Sequence, residues 1–515
     1  MSPEMQHFSC HDEVDTVVIG TGAGGAPLTA ELARYGRRVV ALEAGPVFDA
    51  KNYTPDEIGA GALYWSHERL SGGENPQAFG GNNSGTGLGG SLLHYGAFVP
   101  RMDPRDFHLK TETGQGEDWP FDYKALLPYI ERVEEFIGVS GPNPYPWDEK
   151  RRYAYPPPAR NSAAQKMREA CDHLGLRSSD GPVALITRGR DQPYYGQRDA
   201  CVNCGACHQG CRNSAKSGAD NTWLPAARAH GAELRTGCMV TGFERDTQGR
   251  ISAVLYVKQG REERQKCRSV VISAGAVETA RLLLHTGLSN SSGQVGRNYM
   301  THISTQVWGV FDEETYPNKG YPSLTITEDM VRPKDADFAG GYLLQSLGMM
   351  PITWSVGLAR ADRRRGDALS RALRHYNKSA GIGMHGETLP RDENRVTLSD
   401  ERDDFGLPKP RIDYTYGPNE NAMDRHATRL MTRLWESVGA QDIRVFSRAA
   451  HMIGTCRMGH DTGTSVVNPQ GRSFDIENLW ISDHSTFPSA GAANPALTIM
   501  ALSLRTAEAM MKAGY

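Results

Sequence analysis

Apolar residues first gather in a short run, 14–19, where Val14, Val17, Val18 and Ile19 surround little polarity. A run of that length, rich in β-branched residues, predicts a buried strand. A glycine turn follows, then an Ala/Leu-rich helix over about 26–35, with Gly36 suited to cap its C-terminus. A second run, 39–42, completes a strand–helix–strand unit. Farther on, Leu126, Leu127, Ile130, Val133 and Phe136 recur at helical spacing and predict a helix over 123–136. Strands are predicted at 240–244, 251–257 and 269–272, the last reaching Ala274 and Gly275. The stretch 304–416 mixes strand and helix patterns. The segment 481–513 reads as strand, loop and long Ala/Leu/Met helix. Between these, 72–96 is glycine-dense and predicts a loop entering a helix. The loop 142–158 holds six prolines with Tyr145, Trp147, Tyr153 and Tyr155. Its aromatics either cover a pocket or pack on the surface.

Composition narrows the class. A chain of 515 residues with 39% hydrophobic and 23% charged residues can bury a large core in two or three domains. Its 57 basic and 60 acidic residues nearly cancel, which gives no footprint for nucleic acid. A local basic stretch, 360–378, contains Arg363, Arg364 and Arg365. It reads as a solvated helix face or as a docking patch for a redox partner. No apolar run approaches the length of a membrane span. Residues 1–15 are polar and lack the apolar core of a secretory signal, so a cytoplasmic protein is expected. Four of the nine cysteines fall within 201–211. In a reducing compartment that crowding points to metal or redox chemistry rather than disulfides.

The turn after the first strand reads Gly20-Thr21-Gly22-Ala23-Gly24-Gly25. This is a GxGxxG between strand and helix. Gly20 permits the turn, Gly22 lets backbone approach a pyrophosphate, and Gly25 lets helix and strand pack closely. Glu43, at the end of the second strand, is placed to accept hydrogen bonds from ribose hydroxyls. Together these predict a dinucleotide site. The spacing does not separate FAD from NAD.

Further motifs carry a resemblance. Gly87-Leu88-Gly89-Gly90-Ser91, with Pro104, Asp106 and Phe107, is one. Ser273-Ala274-Gly275-Ala276, with Glu278, Thr279 and Arg281-Leu282-Leu283, is another, continued by Gly296-Arg297-Asn298 and Met300. Asn394-Arg395-Val396-Thr397-Leu398 follows. The end carries His451 through Gly459, then Ile481-Ser482-Asp483, then Asn494-Pro495 and Thr498. In this order they resemble the glucose–methanol–choline (GMC) oxidoreductase family along nearly the whole chain. The resemblance implies FAD. It also implies an α/β Rossmann-like FAD-binding domain of GMC type in three pieces, 12–110, 196–303 and 447–515. An inserted α+β substrate-binding domain with an antiparallel sheet would comprise 111–195 and 304–446.

The resemblance also assigns residues. His451 stands where the family's catalytic base stands, and Asn494 occupies its second catalytic position. A neutral imidazole suits removal of a hydroxyl proton near neutral pH. The second group holds the oxygen and aims the carbon at the flavin N5. Besides the first glycine turn and Glu43, the cofactor set implied is Gly89, Gly90, Ser91, His94, Val240, Ala274, Asp483, Pro495 and Thr498. Val240 would reach the adenine through its backbone. Asp483 would lie beside the phosphates or ribityl chain, or else cap a strand end. His94 stands where some relatives join the flavin covalently, although Leu92 departs from their pattern; a packing role fits it too. His385 and Glu387 either face the pocket or serve the surface.

Cys201-x2-Cys204-x2-Cys207-x3-Cys211 has the spacing of a bacterial ferredoxin run, with Arg212 in place of the usual proline. Sugar dehydrogenases resembling this chain carry a cysteine-rich loop here that binds an iron–sulfur cluster. Zinc, or plain thiols in a structural loop, are the alternatives. The expected function is FAD-dependent oxidation of an alcohol on a sugar or glycoside, polyol or other small molecule. Electrons would pass to an external acceptor protein or quinone, through a cluster if one is built. An oxygen-using oxidase without a cluster, a lyase on the same fold, and a non-catalytic flavoprotein are the rival readings.

Overall fold

A computed structural model of the protein describes residues 6–53, 55–77, 84–360 and 363–515. Parts of the 72–96 and 360–378 stretches, and the first five residues, lie outside the described residues.

Strand Val14–Ile19 sits at the centre of a seven-stranded sheet, with Val39–Leu42 on one side and Arg261–Ile272 on the other. Both pairings are parallel, as are those of Glu233–Arg235 with Val39–Leu42 and of Leu479–Ile481 with Arg261–Ile272. Val39–Leu42 is buried throughout, as is Val14–Ile19 but for half-buried Asp15. That burial is why these strands read as continuous apolar runs. The long strand Arg261–Ile272 serves two settings. Its first half, 261–266, pairs antiparallel with Ile251–Lys258 and is largely polar. From Cys267 onward it joins the parallel core. Helix Gly25–Arg34 is buried from Gly25 to Ala33, and it packs against helices Trp223–Ala229 and Ala496–Lys512.

An eight-stranded antiparallel sheet forms the other half. It runs Gln441–Phe446, Gln306–Val310, Ser379–Gly386, Tyr342–Leu347, Thr325–Thr327, Ser179–Asp180. Met300–Ile303 links Ser379–Gly386 to Ala449–Ile453. Alternation along these strands separates two faces. Val307, Leu344, Ile382 and Met384 pack under Met423, Met431 and Trp435 of helix Pro418–Ser437. Gln306, Gln345 and His385 face the opposite way, into a cavity between the two sheets. The fold is thus an α/β Rossmann-like part joined to an α+β part with an antiparallel sheet. No helix of the described residues is long and apolar enough to cross a membrane.

The aromatics of 142–158 do not cover that cavity. Tyr145 and Tyr153 are buried elsewhere, Tyr145 against Glu328, and the Trp147 indole N–H donates to Asp329.

Candidate active site

Four parallel strands end side by side, and the residues after them floor the cavity. Ile19 leads into Gly20, Leu42 into Glu43, Ile272 into Ser273 and Ala274, and Ile481 into Ser482 and Asp483. Ligands of open α/β sheets bind at this carboxyl edge. The cavity encloses about 610 Å³ and is lined by Gly20, Thr21, Gly22, Ala23, Gly24, Glu43, Gly90, Ser91, His94, Val240, Ala274, Asp483, His451, Asn494 and Pro495. Gly25, Gly89 and Thr498 stand outside the lining.

The nucleotide wall is bare backbone. Gly20 has φ +94°, and a Cβ on it would lie 2.4 Å from the Ser273 carbonyl oxygen. On Gly24 a Cβ would lie 1.8 Å from the Ser482 oxygen, and on Gly25 1.9 Å from the Gly20 oxygen. A Cβ on Gly90 would come within 2.8 Å of Gly22 Cα, so the two glycine turns touch without side chains between them. This cradle at the N-terminus of helix Gly25–Arg34 suits a pyrophosphate. His94 Nε2, Asn494 Oδ1 and Thr498 Oγ1 are buried with no partner among the described residues. The site therefore fits the FAD that the motifs imply.

Two carboxylates brace this wall as well as lining it. Glu43 Oε2 accepts from the Thr21 amide (3.1 Å) and hydroxyl (2.7 Å), and Oε1 accepts from the amides of Gly45 and Gly87. Burial raises the Glu43 pKa, and those hydrogen bonds pull it back. Asp483 Oδ2 accepts from the Gly275 amide (2.8 Å) and the Thr279 hydroxyl (2.7 Å), capping helix Gly275–Thr286. The His94 ring lies 4.1 Å from the Tyr64 ring, and burial pushes its pKa down to about 3.

The opposite wall is made of side chains. His451 lies on Ala449–Ile453, whose partner is Met300–Ile303. Met300 pairs with Ile453 and His302 with Ala450, so His451 and Met452 together oppose Thr301. This is a β-bulge, and His451 sits in it at φ +59°. A bulge re-aims the side chain it carries. Here it brings His451 Nδ1 to 2.8 Å from His302 Nδ1. His302 Nε2 lies 2.8 Å from the Gly491 carbonyl oxygen. On the other edge of the base, Asn494 Nδ2 is 3.3 Å from His451 Nε2. Burial drives His451 well below the usual histidine range, and the nearby His302, His385 and His484 add to the shift. His302 is pushed down to about 4 and His385 to about 3, chiefly by burial. All three are neutral imidazoles near pH 7.

Behind this wall lies a buried charge cluster. Glu387 Oε1 accepts from the Gly491 amide at 3.0 Å. Arg332 lies 3.6 Å from Glu387 and 2.6 Å from Asp106. Burial raises both carboxyls, and the guanidinium pulls both down. Of the two residues in doubt, His385 lines the cavity and Glu387 is buried behind it. The sequence motifs did not single out His302. It lies fully buried in the four-residue strand Met300–Ile303.

The cysteine loop lies beside the 93–95 segment, which it meets through His208 and Lys216. The His208 ring Nδ1 is 3.1 Å from the His94 carbonyl oxygen. The Lys216 ammonium donates to the carbonyls of Leu93, Tyr95 and Cys207. Cys201 Sγ accepts from the Asn203 amide and Cys211 Sγ from the Lys216 amide. Burial raises Cys207 to about 12. A tetrahedral zinc site needs sulfurs about 3.8 Å apart. Among the described residues, the one trio of metal-type ligand atoms within 4.8 Å of one another is His302, His385 and His451. The cysteines do not form such a set.

Comparison with known proteins agrees with this architecture. Residues 84–304 and 390–503 match the N-terminal and C-terminal models of the GMC oxidoreductases. The 6'''-hydroxyparomomycin C oxidase of Streptomyces lividus is 30% identical over 96% of this chain and 91% of its own. The 2-methyl-1,2-propanediol dehydrogenase of Mycolicibacterium austroafricanum is 29% identical over 96% and 95%. The fructose dehydrogenase large subunit of Gluconobacter japonicus is 26% identical over 96% and 97%. Pyridoxine 4-oxidase from Mesorbium loti superposes with a TM-score of 0.70 at 17% identity, over 97% of this chain and 99% of that one. The chain belongs to the GMC oxidoreductase family, whose members are FAD-dependent oxidoreductases.

Proposed function

We propose that the protein oxidises an alcohol to a carbonyl compound, with His451 as base and Asn494 positioning the hydroxyl. The observation that carries this is the pairing of His451 Nε2 with Asn494 Nδ2 in the cavity that the glycine cradle floors. Bound FAD would supply the hydride acceptor, its N5. The chain's own part is to hold the hydroxyl between Asn494 and His451 and to take its proton at Nε2 as the C–H electron pair departs. Gly20 to Gly25, Gly90 and Ser91 would hold the pyrophosphate and flavin, Glu43 the ribose, Val240 the adenine, and Ala274, Asp483 and Pro495 the remainder. The same reading divides the chain into an FAD-binding unit, 12–110, 196–303 and 447–515, and a substrate-binding unit, 111–195 and 304–446. It is supported by the first, middle and last segments all reaching the parallel-strand edge.

Gln306, Gln345, Ser304 and His385 place hydrogen-bonding groups on the substrate side, beside Leu347, Met349 and Met350, and these groups would suit a polyol, sugar or glycoside. The three sequence relatives described above are named for 2-methyl-1,2-propanediol, 6'''-hydroxyparomomycin C and fructose. For the acceptor, Cys201, Cys204, Cys207 and Cys211 are the residues that would hold an iron–sulfur cluster, and backbone N–H groups reach the sulfurs of Cys201 and Cys211. Iron analysis of anaerobically purified protein tests this. The test of the central reading is anaerobic flavin reduction by an alcohol panel. His451→Ala should stay yellow and reduce flavin at least roughly 10²-fold more slowly. Near-normal reduction would sink the assignment.

A further inference from the structure

We propose that His302 is the positioning residue for the base: it sets the tautomer of His451 by way of the Gly491 carbonyl. The inference rests on the reading of His451 as base, and it follows from the order of donors and acceptors along one chain of contacts. A carbonyl oxygen only accepts, so the His302 Nε2 that lies 2.8 Å from the Gly491 oxygen must carry a hydrogen. His302 is fully buried and neutral, so its Nδ1 is a bare lone pair. That lone pair lies 2.8 Å from His451 Nδ1, which must then be the donor. Neutral His451 has one ring hydrogen. With it on Nδ1, Nε2 is left bare, and Nε2 is the atom that meets Asn494. The base thus presents its lone pair to the cavity.

The opposite tautomer fails at a definite place. With its hydrogen on Nε2, His451 would set its Nδ1 lone pair against that of His302 at 2.8 Å. Turning the Asn494 amide over, so that Oδ1 faces Nε2, does not relieve this, because the clash is on the other nitrogen. The second orientation is therefore excluded from the His302 side alone.

When the alcohol loses its hydroxyl proton, that proton goes to His451 Nε2. The C–H electron pair would leave as hydride to bound flavin as the C=O bond forms. His451 is then an imidazolium, and its Nδ1–H becomes a charge-assisted donor to His302, stronger than the neutral bond it replaces. His302 thus favours the product side of the proton transfer and needs no charge of its own. Gly491 and Asn494 belong to one short segment, which meets one nitrogen of the base through Asn494 and reaches the other through His302. Glu387 Oε1 holds that turn by its Gly491 amide.

The test uses holoenzyme with 15N-labelled histidine and three variants: His302→Leu, His302→Gln and His451→Ala. Loss of one imidazole spectrum in His451→Ala identifies the base. In the parent protein it should show a protonated Nδ1 and an unprotonated Nε2. His302→Leu removes the acceptor; flavin reduction should slow roughly 10²–10⁴-fold at full FAD content, with the base shifting towards the Nε2-protonated form. His302→Gln keeps an acceptor oxygen and an N–H, and it should recover most of the rate and the parent tautomer. An Nε2-protonated base in the parent overturns the proposal even if His302→Leu does not fold. So does parental flavin reduction in His302→Leu, or slow reduction with the parent tautomer unchanged. Rapid flavin reduction in His451→Ala would instead remove the base reading itself, whatever the His302 variants do.

Discussion

The two walls of the cavity are built from different materials. The nucleotide wall is backbone: glycines at 20, 24, 25 and 90 bring strand ends and turns so close that a single added carbon meets main-chain oxygen or Cα. The catalytic wall is side chain: three imidazoles and two amides, carried by separate antiparallel strands and one C-terminal turn, meet through hydrogen bonds. The first wall fails when something is added and the second when something is removed. Backbone has nowhere to move, whereas a deleted side chain leaves its partner buried and unpaired.

Substitutions on each wall turn that contrast into numbers. The largest effect should come from Gly24→Ala, where the new Cβ would lie 1.8 Å from the Ser482 oxygen. The protein should lose its FAD, read as flavin absorbance after desalting. Full FAD content would show that the backbone wall yields and would break the contrast. Next is Arg332→Met, behind the catalytic wall. Removing the guanidinium leaves Asp106 and Glu387 buried without their counter-charge and should lower stability by about 3–5 kcal/mol. A urea midpoint matching that of the parent would show that the cluster does not hold the wall. Asn494→Ala should keep FAD and slow flavin reduction roughly 10²-fold, followed by stopped-flow absorbance. Smallest is Glu57→Ala at the cavity mouth. Glu57 accepts from the amides of Ile352 and Thr353 at the start of helix Pro351–Arg360. Its loss should cost about 1 kcal/mol, seen as faster amide exchange confined to that helix.

The same contrast explains what could be read from the chain. Strands Val14–Ile19 and Val39–Leu42 match their apolar runs because both lie within the parallel core. The glycine wall is local, so one short motif announced it. Strand Arg261–Ile272 showed only its last residues, because its first half lies in a hairpin of charged and polar residues. The antiparallel sheet gave mixed patterns, since its partners lie far apart in the chain and register is a tertiary property. His302 was invisible for the same reason: its role depends on a bulge opposite Thr301, and no spacing records that. The aromatics of 142–158 left lid and surface packing both open, because a buried Tyr145 bound to Glu328 looks in sequence like either. The cysteine spacing named a ligand type but not whether the sulfurs converge.

The strand Leu479–Ile481 has a consequence for biosynthesis. It completes the parallel sheet by pairing with Val270 to Ile272, some two hundred residues earlier in the chain, and helix Ala496–Lys512 packs on helix Gly25–Arg34. The Rossmann-like half is therefore begun by a segment translated long before the one that completes it. Until residue 481 and the helix after it are free of the exit tunnel, the Ser482 and Asp483 side of the cradle does not exist and helix Gly25–Arg34 lacks its covering partner. A nascent chain that stops short of this strand carries an open sheet edge, with its apolar strands exposed to aggregation and to chaperones.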